Sequence, residues 1–250
     1  MNIWDIIAIR PISNVLIVLT HFLFNNFGLA VIALTIIFNL ALLPLTLQQI
    51  RSSKAMIDIQ PKLLDLQKKY ANDKQKLAQE QQKLYKEAGM NPVGCLIPML
   101  IQFPVWMALY GSISLLLALS PEKFVNLGTV LYSWPILYST LPLNNTFLWA
   151  NLATTDLALA ILTGATMWIQ QKMTPQPHGD PQQESQQRIM QYFMPLMFAY
   201  ITFMFPSGLG LYFVTSNIFR IVLQYFLTGW GGLVEMFAGD DKSKASKKRK

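Results

Sequence analysis

Three apolar stretches carry polar side chains at helical spacing. Thr35, Asn39 and Thr46 stand four and seven residues apart, and Gln49 prolongs their line. Thr163, Thr166 and Gln170 share a second face, and Tyr212, Ser216 and Arg220 recur every four residues in a third. Gln102 and Ser112 sit in a fourth apolar stretch. Steps of three, four and seven put side chains on one helix face. The groups available are amides, hydroxyls and one guanidinium, which hydrogen-bond and attract negative charge. A single Ser or Thr in a membrane helix joins it to a neighbour. Several lines on several helices, ending in Gln or Arg, are expected instead to line one wet cavity. Arg220 is the strongest case. Its competing reading is snorkelling, since it lies about 8 residues, or roughly 12 Å, from the expected helix end.

Covalent chemistry has no comparable support. The two histidines, His21 and His178, are far apart, and Cys95 is the single cysteine. No metal cluster, no nucleophile–base pair and no internal disulfide follows from them. The reading is of a protein that is not an enzyme, with no metal and no small-molecule cofactor.

The elements that must hold these stripes are membrane helices. Hydrophobic residues make up 52% of the chain and charged ones only 13%. No charge falls between Arg10 and Arg51, between Asp156 and Lys172, or between Arg188 and Arg220. About 20 apolar residues cross a hydrocarbon core roughly 30 Å thick. The expected class is an all-α, multi-pass membrane protein with five spans, at 27–50, 92–119, 156–173, 189–206 and 207–228. Residues 1–26 are expected to form an amphipathic helix in the membrane interface, because the run Pro11–Phe24 is too short to span. A longer first membrane helix broken at "NNFG" is the alternative. No signal-peptide pattern is expected, since Arg10 is the only base ahead of that run and no A-x-A site follows.

Between the spans, 51–91 holds nine basic and five acidic residues. Met56, Ile59, Leu63, Leu66 and Tyr70 make an apolar stripe there, "AND" breaks it, and Asn72 or Asp73 can cap a second helix that ends at Gly89. A helical hairpin is expected. Residues 120–155 are rich in Tyr, Trp and Pro and are expected to lie at headgroup depth on the outside. Residues 174–188 form a loop, and 229–250 a basic tail. The net charge of +7 is concentrated in the hairpin and the tail. Excess Lys and Arg mark the cytoplasmic side. Five spans put both segments there, with the N-terminus outside. The tail reads either as a positive-inside anchor or as a contact for ribosomal RNA phosphates.

Longer motifs add a resemblance. "NPVGCLIPMLIQFPVWMALY" and "FPSGLGLYFVTSN", with "QPKLLDLQKKY" and "QQKMTP", resemble the YidC family of membrane protein insertases. The match runs in order from Gly28 to Gln224. It implies a five-helix insertase core with a cytoplasmic hairpin and a hydrophilic groove open to the cytoplasm and the lipid. Hydrophobic segments of nascent membrane proteins would enter that groove and leave sideways into the bilayer of a bacterial plasma membrane, without ATP. Thr35, Asn39, Gln102, Thr163, Thr166, Gln170, Ser216 and Arg220 would line the groove. Pro104, Trp106 and Tyr212 would lie on the substrate path. The hairpin and tail would meet the ribosome, and the Sec translocon is a further candidate partner. One departure stands out. Bacterial members resembling this chain commonly carry an arginine in the first core helix, where this sequence has Asn39. By residue count Asn39 and Arg220 lie at a similar depth, about 18 Å from the outer end. The groove's positive charge is therefore expected on the fifth helix. A small-molecule transporter and a structural subunit of a membrane complex are the other function classes.

Overall fold

The computed structural model describes residues 3–70, 73–88, 97–117, 127–174 and 181–230, and they are mostly helical. The expected basic tail from 231 onward and Gly89, the expected end cap of the hairpin, lie outside the described residues. A five-residue π-helical turn, Asp5–Ile9, leads into α1, Arg10–Phe22. Then come α2 (Phe27–Ala41), α3 (Leu43–Lys69), α4 (Lys74–Glu87) and α5 (Ile97–Leu116). A short α6 (Pro135–Ser139) and the strands β1 (Thr146–Phe147) and β2 (Ala150–Asn151) precede α7 (Leu157–Met173), α8 (Pro181–Met204) and α9 (Ser207–Thr228).

Local chemistry sets the boundaries. Pro11 sits in the first turn of α1, where its missing N–H costs nothing. Phe24 and Asn25 take positive φ values of 58° and 54°, which ends the helix. Asn26 then caps α2, its Oδ1 accepting from Leu29 N at 3.1 Å. At the far end α2 stops at Leu42, two residues before Pro44. The proline has no N–H for the Leu40 carbonyl, and its ring crowds that oxygen. The bend expected in the first span is thus a break. Asp73 supplies the cap foreseen for the hairpin, accepting from Lys76 N at 3.0 Å.

The first helical segment is longer than its sequence run. The π turn extends α1 back to Asp5, past two charges that a hydropathy reading treats as ends. The 18 residues Asp5–Phe22 are long and apolar enough to cross a membrane. The broken pair formed by Phe27–Ala41 and Leu43–Ala55 passes the same test as one span, and the apolar segments Ile101–Leu116 and Ile189–Met204 are shorter.

Contacts divide the chain into two compact units. The first comprises residues 1–42, 100–167 and 195–219. Its core joins Leu16 and Ile17 of α1, Phe27 and Val31 of α2, Ile113 of α5 and Leu209 of α9. The aromatic segment after residue 127 is no additional span. It holds α6 and an antiparallel hairpin that pairs Thr146 with Asn151 and Phe147 with Ala150, strands that the sequence reading does not foresee. Phe147 lies against Gly28, its Cβ and two ring carbons closer than 3.0 Å to where a glycine Cβ would stand, so only glycine fits. Ser207 Oγ donates to Asn151 O at 2.8 Å and Gly208 N to Leu152 O at 3.1 Å, tying the start of α9 to the same loop.

The second unit comprises residues 43–99, 168–194 and 220–250. Within it α3 and α4 pack on each other, with Ile59 and Leu63 buried as the stripe predicts. Large apolar side chains stay exposed on several helices, among them Ile37, Phe103, Leu196 and Phe226. Water would penalise such faces, and lipid does not.

Candidate functional site

The polar side chains of the first unit meet in pairs across helices. Thr35 is buried and donates to Val31 O at 2.6 Å, one turn back. Asn39, only 8% exposed, donates to Thr35 O at 2.8 Å and to Ser216 Oγ at 3.1 Å. Both amide hydrogens therefore have acceptors, one on α2 and one on α9. That satisfies an amide which would otherwise be costly in an apolar setting. The contact also places Asn39 level with Ser216 on α9. Arg220 follows one helical turn later, about 6 Å further along that helix.

Gln102 Nε2 donates to the Tyr212 hydroxyl, joining α5 to α9. Beside them Trp106 lies among Phe103, Phe205 and Phe213, with ring centroids 5.6, 5.9 and 6.1 Å away. Its Nε1 is buried without a hydrogen-bond partner. Pro104 is exposed on the same helix. On α7 the Thr163 and Thr166 hydroxyls donate to Leu159 O and Leu162 O, and Asn217 Nδ2 of α9 donates to Thr166 Oγ1 at 3.2 Å.

The second unit holds open space. A cavity of about 40 Å³ is lined by Thr46, Gln49, Ile50, Ser53, Gln170, Thr174, Arg220 and Gln224. One water needs about 10–15 Å³ by this measure and two to four polar partners. The cavity is thus roomy and polar enough for two or three waters. Gln224 is buried and donates to Thr174 Oγ1 at 3.3 Å, and Thr174 donates to Gln170 O at 3.0 Å. Arg220 is the one charged residue in the lining. The neighbouring cation, Lys172, is engaged separately. It donates to Gln191 Oε1 at 2.9 Å and lies 5.8 and 5.2 Å from the Trp168 and Tyr192 ring centroids.

Of the expected groove residues, Gln170 and Arg220 share this cavity, and Thr46 and Gln49 of the first stripe join them. Thr35, Asn39 and Ser216 form one cluster in the first unit, Gln102 and Tyr212 a second, and Thr163 and Thr166 a third. Three polar lining residues escape the sequence reading: Ser53, Thr174 and Gln224. Each lies four positions past the end of a recognised stripe, after Gln49, Gln170 and Arg220 respectively. The signal was one more helical turn of the same periodicity. Among the described residues no group of His, Cys, Asp or Glu could hold a metal.

Comparison with known proteins places the chain among membrane proteins of one kind. Residues 18–231 match the family described as 60Kd inner membrane protein. The chain is 36% identical over 228 residues to a protein of Oceanobacillus iheyensis named membrane protein insertase YidC, covering 88% of this chain and 81% of that one. A Fusobacterium nucleatum protein of the same name is 36% identical, with 81% and 86% covered. Among solved structures, the crystal structure of an active YidC insertase with its first transmembrane domain resolved is similar at a TM-score of 0.54 and 26% identity. That likeness spans 83% of this chain and 43% of the longer one.

Proposed function

The chain belongs to the 60Kd inner membrane protein family, that of the YidC insertases, and on that premise we propose that the Arg220 cavity is where it receives the polar ends of the segments it inserts. Its activity is that of a membrane protein insertase, and its substrates are nascent membrane proteins. The observation that carries the site is a guanidinium on a cavity whose other walls are mainly Gln, Thr and Ser. On insertion scales an Asp at a helix centre costs about 2.5–3.5 kcal/mol. A hydrated positive site part-way through lowers that cost by shortening the dry path and by attracting acidic groups. The apolar part of the substrate then leaves along exposed helix faces into lipid. No ATP and no covalent step enters this route, since hydrophobic transfer drives it.

The setting that suits this route has five core spans, the N-terminus outside, and the hairpin and C-terminus in the cytoplasm. The distribution of Lys and Arg supports it. The basic tail and the hairpin would approach the ribosome, and the Sec translocon would be a partner for longer substrates. The test is insertion of a substrate with an acidic outer end into proteoliposomes. Arg220→Ala is expected to slow it about tenfold, the loss of one charge-assisted hydrogen bond. Arg220→Lys should recover part of the rate. Full activity of Arg220→Ala would overturn the proposal.

A further inference from the structure

A second cation is built into the opposite end of the sequence. Arg10 directly follows the π turn, and its neighbours fix it from both sides. Ile9 fills the notch left by Gly111, and its carbonyl accepts from Ser112 Oγ at 3.3 Å. Buried Asn14 clamps the aromatic segment, donating to Val130 O at 3.0 Å and accepting from Tyr132 N at 2.9 Å. Between these anchors the Arg10 guanidinium lies over the Tyr132 ring, 4.9 Å from its centroid. Tyr132 packs in turn on Trp134, at 5.3 Å. The Arg10 Nε is buried without a hydrogen-bond partner, and among the described residues no carboxylate pairs with this arginine. On the turn just before it Ile3, Ile6 and Ile7 are exposed, as is Trp134 alongside.

The combination is specific. Exposed isoleucines and an exposed tryptophan suit acyl chains and the headgroup boundary. A guanidinium held in place by its stem, on a residue that stays partly exposed, suits a phosphate oxygen. We infer that Arg10, seated on Tyr132, binds the phosphodiester of an anionic phospholipid. The ring spreads the cation's field and the clamps keep it from snorkelling elsewhere, so a lipid meets a formed site. This inference rests on the membrane setting of the chain and is independent of the Arg220 cavity.

Native mass spectrometry of the full chain, titrated with phosphatidylglycerol or phosphatidylcholine in detergent, tests it. Arg10→Gln should bind phosphatidylglycerol about fivefold more weakly, the effect of one basic residue at a lipid surface. Its phosphatidylcholine binding should not change. Equal phosphatidylglycerol binding by the two proteins overturns the inference. Competition by inorganic phosphate would assign the site to free anions, and competition by an acidic peptide would assign it to protein carboxylates. Either result overturns the lipid. Should Arg10→Gln lose its thermal unfolding transition, Arg10→Lys serves in its place. It should still prefer phosphatidylglycerol to phosphatidylcholine, and loss of that preference overturns the inference.

Discussion

Asn39 and Arg220 are both polar side chains in apolar helices, and their surroundings differ in kind. Asn39 gives its two amide hydrogens to Thr35 O and Ser216 Oγ. Arg220 faces a cavity of about 40 Å³ whose other walls are mainly Gln, Thr and Ser. The first arrangement is closed, with donors and acceptors matched inside the protein. The second leaves capacity for water or for a guest. Polarity inside a membrane helix therefore has two uses, and residue type alone does not separate them. What separates them is whether open, polar-lined volume adjoins the side chain.

Reversing the charge at Arg220 gives the largest expected effect. Arg220→Glu should slow insertion of acid-ended substrates by more than about tenfold, and substrates with neutral ends should suffer less. Parallel insertion assays with the two substrates check this. Equal losses would mean that the cavity does not act through its charge.

Asn39→Leu should do the opposite. A cross-helix hydrogen bond in a membrane protein is worth about 0.6 kcal/mol on average and up to about 1.7. Thermal unfolding in detergent is expected to show a loss of about 1 kcal/mol, with insertion little changed. A variant that melts normally yet inserts poorly would erase the contrast between the two residues.

The smallest effect belongs to the exposed hairpin pair of Lys83 and Glu80, 2.5 Å apart. The Glu80 carboxylate holds the Lys83 ammonium above its ordinary pKa. A raised lysine stabilises below its unfolded pKa and loses that contribution as pH rises through the folded value. The loss therefore falls above the ordinary lysine range. At neutral pH, Lys83→Met should leave insertion unchanged and melting nearly so, because water screens an exposed pair.

Much of this was legible in the sequence. The cap at Asp73, the hairpin stripe through Ile59 and Leu63, and the disruption at Pro44 follow from local rules about which groups can be satisfied where. Arg220 and Gln170 announced a polar site because burying them without one is costly. The match between Asn39 and Ser216 was not legible, since it joins residues 177 positions apart and depends on how two helices are rotated. Nor was the length of the first helix, because a π turn shifts the face of every residue after it. Ser53, Thr174 and Gln224 were within reach. Each continues the four-residue period of its stripe beyond the point where hydropathy falls.

The fit of Phe147 on Gly28 carries an electrical consequence. Current in a membrane follows water, and a dry joint between two segments carries none. At Gly28 the Cβ and two ring carbons of Phe147 stand closer than 3.0 Å to where even a methyl group would go. Such a joint leaves no clearance for a file of water, and hence none for protons to hop along. Glycine here makes the joint between α2 and the β1 strand an insulating one.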